Sequence, residues 1–292
     1  MDSSELVELL SGDSLALLDS LPQWQSSSDL LKTVNDLRRA GHSPGLVAAV
    51  LAQSKLRAKA AAKFGPFAER MLFTEAGLEQ ATRLRVAALH AGRFQVAGLR
   101  RIADLGSGIG GDALALASLE LEVTAVELDE VTAAIAAYNL ALWPNATVVH
   151  ADVTTFDLDG FDGVYLDPAR RTAGHQNTSR LSDPADYSPT LDFAFGIAGR
   201  LPTGIKLGPG IDRDLIPGEA EAQWVSVDRD VVELGLWFGA LARTGIRRSA
   251  LVLGEHGAAE LFSTEDSADV ETGSMGNYLY EPDGAVIRAR LI

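Results

Sequence analysis

Glycines stand at positions 106, 108, 110 and 111, directly after the run Ile102-Ala103-Asp104-Leu105 and directly before the helix-forming stretch Ala113–Leu119. A strand that stops at a glycine-rich turn and opens a helix is the strongest single constraint on this chain. It lets backbone approach a ligand closely, offers the unpaired N–H groups of a helix N-terminus, and belongs to α/β architecture. Gly106, Gly108 and Gly111 also meet the dinucleotide pattern G-x-G-x-x-G, so the glycines alone do not choose a cofactor. Asp104 does. A carboxylate at the strand end opposes a pyrophosphate but suits a cation. S-adenosylmethionine carries an ammonium and a sulfonium and no phosphate, so Asp104, Gly106, Gly108 and Gly110 read as a methyl-donor loop.

Three more acids follow at the ends of successive predicted strands, where open α/β sheets bind ligands. Leu121–Val126 ends at Glu127, whose carboxylate suits the two ribose hydroxyls. Thr147–His150 is followed by Asp152, suited to accept from the adenine amino group. Gly163–Leu166 ends in Asp167-Pro168-Ala169-Arg170-Arg171. Taken singly, each acid is also what a solvated loop contains. Asp167 would accept from a target N–H and the Pro168 carbonyl would supply a second acceptor, which favours charge developing on an attacking amine. Asp-Pro is equally a turn initiator.

These motifs resemble those of class I S-adenosylmethionine-dependent methyltransferases over roughly residues 73–255. Met71-Leu72-Phe73-Thr74-Glu75, Leu78-Glu79-Gln80-Ala81-Thr82 and Ala137-Tyr138-Asn139-Leu140-Ala141 are similar to segments of trimethylguanosine synthases and related RNA methyltransferases. With Asp167–Arg171 and Gly276–Pro282, the arrangement resembles bacterial methyltransferases that carry a THUMP-like C-terminal domain. The resemblance implies a doubly wound, mostly parallel seven-stranded Rossmann-like sheet and an RNA substrate methylated at a base nitrogen. It also implies that the chain continues past Ile292, so that residues 256–292 are the start of a truncated THUMP-like domain. One departure stands out. Base amino-methyltransferases of this kind show a second proline and an aromatic ring where this chain has Ala169 and Arg170.

Composition closes several routes. The chain has no cysteine, which excludes disulfides, thiolate metal sites and a cysteine-nucleophile mechanism. Its five histidines show no paired metal-ligand spacing, so no metal is expected. No apolar run reaches membrane-spanning length and Asp2, Glu5 and Glu8 are unlike a signal peptide, which predicts a cytoplasmic protein without a membrane partner. A net charge of −15 opposes generic nucleic-acid binding. Yet residues 51–101 hold ten basic side chains against three acidic ones, a local +7. Arg170, Arg171 and Arg180 form a second basic cluster, read as phosphate contacts or as solubilising surface. RNA, a small-molecule acceptor, and cofactor binding without catalysis all stay open at this level.

Residues 1–72 read as a helical domain with helices over Ser3–Leu18, Asp29–Ala40 and Gly45–Ala62, the last started by Ser43-Pro44. Glu75–Phe94 reads as one helix that brings Gln80 and Thr82 to the methionine end of the cofactor. Helices over Gly111–Leu119, Glu130–Leu142 and Tyr187–Ala198 alternate with strands, which predicts right-handed parallel crossovers. Thr172–Ser188 reads as a substrate loop or a disordered one. Thr203–Leu207 is a fifth strand, whose Lys206 is either a snorkelling edge residue or a site cation. Gln223–Phe238 and Ser249–Leu253 supply the last two strands, an antiparallel edge pair by the resemblance.

Overall fold

The computed structural model describes residues 3–21, 27–170, 187–255, 257–264, 273–274, 276–278 and 280–292. The helices in chain order are α1 (Ser3–Leu9), α2 (Gly12–Ser20), α3 (Ser27–Arg39), α4 (Pro44–Phe64) and α5 (Glu75–Gln80). Then come α6 (Leu84–Val96), α7 (Gly111–Ser118), α8 (Glu130–Leu140), α9 (Leu191–Ala198) and α10 (Gly284–Arg288). The strands are β1 (Arg101–Leu105), β2 (Glu122–Glu127), β3 (Ala146–His150), β4 (Gly163–Leu166), β5 (Ala169–Arg170) and β6 (Tyr187–Ser188). They continue with β7 (Thr203–Leu207), β8 (Glu221–Val227), β9 (Asp230–Phe238), β10 (Ile246–Gly254) and β11 (Gly257–Thr264). The chain divides into two compact units, Met1–Gln95 with Gly106–Asp157, and Val96–Leu105 with Leu158–Ile292.

In the first unit the expected helix over Ser3–Leu18 is two helices. Ser11 leaves the helical region and its hydroxyl accepts from Ser14 N at 3.3 Å, capping α2. Ser43 caps α4 in the same way, with Pro44 in the first turn and Gly65 at φ +56° ending it. Met71, Leu72 and Phe73 then run as a fully buried extended segment. The single helix expected over Glu75–Phe94 is broken at Ala81, whose ψ of 137° is not helical. The break is held by Lys63 of α4. Its ammonium donates to the carbonyls of Leu78, Glu79 and Ala81 at 2.9, 2.7 and 2.7 Å, taking acceptors that a continuing helix would have used. β2 and β3 pair in parallel, from Val123 opposite Ala146 to Glu127 opposite His150.

The second unit has the strand order β11-β10-β8-β9-β7-β4-β1. β1, β4 and β7 are parallel, β9 runs antiparallel to both β7 and β8, β10 is parallel to β8, and β11 is antiparallel to β10. The architecture is therefore α/β with parallel and antiparallel strands mixed, and with β2 and β3 the order runs to nine strands where seven were expected. Gln223–Phe238 is a hairpin, not one strand. Asp228 and Arg229 both take positive φ (50° and 75°), as a two-residue turn between right-twisted strands requires. The signal was hidden because neither residue is glycine or asparagine. β11 adds a further strand at the edge, opposite β10 from Ile246 to Gly254. The helix expected over Tyr187–Ala198 begins only at Leu191, capped by Thr190. Pro189 holds the residue before it extended, and Tyr187–Ser188 instead pairs antiparallel with Ala169–Arg170.

Apolar packing of the second unit centres on Trp224, Trp237, Tyr165, Phe238 and Ile205, all buried. Gly204 lies mid-strand because a Cβ there would meet the Trp237 ring at 2.6 Å. α10 packs on β8, β9 and β10 through buried Ala285 and Val286. One ionic cluster ties β8 to β11. Arg243 donates to Glu221, whose side chain is fully buried, at 2.7 and 3.0 Å, and to Glu260 at 2.7 and 2.8 Å. Burial alone would raise the Glu260 carboxyl, but Arg243 outweighs it and holds the group below its usual range.

Candidate functional site

The glycine loop of the first unit begins where β1 ends. Gly106, Gly108 and Gly110 all have positive φ, at 79°, 55° and 85°, a conformation costly for any residue with a Cβ. Gly106 N and Ser107 N both donate to Val126 O, at 2.9 and 3.1 Å, which ties the loop to the end of β2. Gly110 caps α7 without a side-chain hydrogen bond, so the first N–H groups of that helix follow directly on the loop. Around Gly108 an added Cβ would meet nothing within 4 Å, so there is room for a ligand beside the backbone. Ser107 Oγ is shielded from solvent and lacks a hydrogen-bond partner among the described residues, as suits a hydroxyl that a ligand satisfies.

Glu127 at the end of β2 is oriented by two backbone donors. Gly108 N reaches Oε2 and Asp129 N reaches Oε1, each at 2.9 Å. Each carboxylate oxygen has a second lone pair, so the group can still accept from two ribose hydroxyls. Asp152, exposed after β3, accepts from Thr154 N at 2.8 Å and Thr154 Oγ1 at 2.7 Å, both through Oδ1. The backbone bond, followed by the hydroxyl bond, holds its carboxyl below the usual range. These donor and acceptor types fit an adenosine with an uncharged ribose. Gln80 is exposed at the end of α5. Thr82 is buried, and its hydroxyl donates to Asp112 Oδ2 at 2.7 Å, while His90 Nδ1 lies 2.9 Å from Asp112 Oδ1. The Asp112–His90 pair was not singled out by sequence, although Asp112 directly follows the glycines.

In the second unit Asp104 is buried on β1 opposite Tyr165 of β4. Asp167 follows β4, with its N–H toward Leu105 O at 3.4 Å. Lys206, from the neighbouring β7, forms an ion pair with the Asp167 carboxylate, whose side chain is 31% exposed. Lys206 therefore lies inside the sheet and directs its ammonium at a carboxylate rather than into solvent. Pro168 is buried and Ala169 exposed. Arg170 lies in β5 opposite Tyr187. Arg171, Arg180 and residues 172–186 of the loop expected over Thr172–Ser188 lie outside the described residues. Gly208-Pro209-Gly210 follows β7, and Pro209 O accepts from Trp224 Nε1 at 3.3 Å and Arg288 Nη1 at 3.1 Å. Among the described residues, no group of His, Asp or Glu side chains could hold a metal ion, and no helix is long and apolar enough to cross a membrane.

Parallel strands, a left-handed glycine loop opening a helix, and acids at the following strand ends define a nucleoside-cofactor enzyme of the α/β class. Comparison with known proteins narrows this. An uncharacterized S-adenosylmethionine-dependent methyltransferase of Mycobacterium tuberculosis, from strains CDC 1551 / Oshkosh and ATCC 25618 / H37Rv, is 33% identical over 267 residues. The match covers 87% of this chain and 70% of the relative. The chain belongs to the S-adenosylmethionine-dependent methyltransferases, and S-adenosylmethionine is its cofactor. A crystal structure from Porphyromonas gingivalis W83, provisionally assigned as a methyltransferase, has the same fold. It matches with a TM-score of 0.71 at 23% identity, over 99% of this chain and 73% of that one. A family described as a domain of unknown function (DUF8688) matches residues 2–60.

Proposed function

We propose that the protein methylates a nitrogen of an RNA base, with Asp167 as the group that receives the acceptor. The carrying observation is the Asp167–Lys206 ion pair at the ends of two neighbouring parallel strands. Lys206 restrains the carboxylate in one orientation, so part of the ordering cost is met before substrate arrives. Asp167 then accepts a hydrogen bond from the target N–H, and the Pro168 carbonyl accepts a second. Both draw positive charge that develops on the attacking nitrogen, and the displaced proton leaves to water. When bound, S-adenosylmethionine supplies the electrophilic methyl group. Gly106, Gly108, Gly110, Glu127 and Asp152 are the residues proposed to hold it, with Asp104, Gln80 and Thr82 toward its methionine part.

RNA is favoured by the excess of basic side chains over residues 51–101, of which Lys55, Arg85, Arg100 and Arg101 are exposed. The likeness of the Met71–Thr82 and Ala137–Ala141 segments to trimethylguanosine synthase-like enzymes, and of the whole to the THUMP-bearing group, points the same way. In this reading the helical residues 1–72 and the arginines 170, 171 and 180 contact RNA, and the enzyme works in the cytoplasm. The net charge of −15 favours a second reading, a small-molecule acceptor. Nucleoside mass spectrometry of total RNA from a deletion strain and its parent separates them. A methylated base lost from the deletion strain and restored by the wild-type gene supports RNA. An unchanged nucleoside inventory overturns it in favour of the small molecule.

A further inference from the structure

We propose that Asn139 is a positioning residue of the cofactor loop, supported from the N-terminal helices by Gln53 through the segment Met71–Phe73. The inference rests on the assignment of residues 106–110 to the cofactor. Asn139 of α8 is 4% exposed and makes three hydrogen bonds. Its Oδ1 accepts from Leu72 N at 2.8 Å, while Nδ2 donates to Leu72 O at 3.0 Å and to Ile109 O at 2.9 Å. Both amide protons are thereby used, one on the extended segment and one on the glycine loop. Gln53 of α4, 1% exposed, grips the next residue in the same reciprocal way. Its Nε2 donates to Phe73 O at 2.7 Å and its Oε1 accepts from Phe73 N at 3.0 Å. One hydrogen-bonded path therefore runs from Gln53 through Phe73 and Leu72 to Asn139 and Ile109.

Ile109 is the residue such a path has to hold. It sits between Gly108 and Gly110, both at positive φ and neither with a Cβ of its own to limit the backbone. Holding the Ile109 carbonyl fixes the peptide plane that joins Ile109 to Gly110, and so the direction of the first N–H groups of α7. The Ile109 side chain is pinned as well: a Cβ on Gly77 of α5 would lie 2.6 Å from Ile109 Cγ2. A loop of glycines held in one conformation before the ligand arrives binds more tightly than one that must be ordered by it. Buried amides with every donor used are suited to that task, because a shifted loop would leave them unsatisfied.

The test is calorimetric titration of the full chain with S-adenosylmethionine, alongside its melting curve. Asn139→Ala should weaken binding about tenfold at unchanged stoichiometry, and Gln53→Leu about threefold. Asn139→Asp keeps the shape and the acceptor for Leu72 N but has no donor for Ile109 O, so it should bind as weakly as the alanine variant. Asn145→Ala is the control. It removes half-buried donors to Ala117 O and Leu121 O, away from the loop, and should lower the melting temperature without changing affinity. Wild-type affinity in Asn139→Ala or Asn139→Asp overturns the proposal. If Asn139→Ala does not fold, Gly77→Ala displaces Ile109 from its other side, and wild-type affinity there overturns it equally. Gly108→Ala separates the two layers. Unchanged binding in that variant would sink the cofactor placement itself, whereas weakened binding beside an unaffected Asn139→Ala would sink only the positioning role.

Discussion

The glycine loop of the first unit and the strand ends of the second are stabilised by different physics. The loop contains no ion pair. Its shape comes from three left-handed glycines, the Val126 and Glu127 acceptors, and Asn139 on the Ile109 carbonyl. The ends of β4 and β7 are held by charge, with Lys206 against Asp167 and Arg288 on the loop carbonyl of Pro209. A backbone cradle suits the part of a ligand that keeps its form through a reaction, as an adenosine does. A restrained but one-third exposed carboxylate suits a partner that must arrive, react and leave. The two regions should therefore respond differently to the same kind of substitution.

The largest contrast is expected at Asp167. Asp167→Ala should lower turnover by about a hundred- to a thousandfold while leaving the affinity for S-adenosylmethionine within about twofold. Single-turnover kinetics and calorimetry on one preparation check both halves, and a parallel loss of cofactor affinity would erase the contrast. Glu127→Ala should do the reverse. Gly108 N and Asp129 N lose their acceptor and the ribose hydroxyls lose theirs, which weakens cofactor binding by about 1–3 kcal/mol. Equal affinity of mutant and wild type in calorimetry would remove Glu127 from the site.

Arg170→Ala should be milder. If RNA is the substrate, its affinity falls and the slope of log K against log salt drops by about one per lost phosphate contact. Binding measured at several salt concentrations would show instead an unchanged slope if Arg170 faces no phosphate. The smallest effect belongs to the ionic cluster at β11. Glu260 is held below its usual range when folded, so its contribution is fully present above the unfolded value of 4.5 and disappears as pH falls through the lower folded value. Glu260→Gln should lower the melting temperature by about 2–4 °C at neutral pH. That difference should close in acid, and melting curves across the acid range in which it persists would contradict the assignment.

The glycine loop of the first unit was legible in the residues, and the strand ends of the second only in part. Gly106, Gly108 and Gly110 announce themselves because positive φ restricts residue choice so sharply that composition reports conformation. Caps behave likewise: Ser43-Pro44 marks the start of α4. The broken helices were harder. Nothing local forbids helix through Ala81, and the break depends on Lys63, 18 residues away, taking its carbonyl. Nor does anything local show that Thr82, proposed to lie toward the cofactor, gives its hydroxyl to Asp112.

What the sequence by itself determined is the α/β class, the glycine loop and the acids after β2, β3 and β4, since each depends on a residue and its immediate neighbours. Only the tertiary structure decided that Lys206 meets Asp167, that Asn139 joins Leu72 to Ile109, and that Gln223–Phe238 turns back at Asp228–Arg229. Each of these pairs or turns requires partners brought together by strand register or helix packing. A side chain that can bond equally well to water carries no mark in the sequence of which partner it will find.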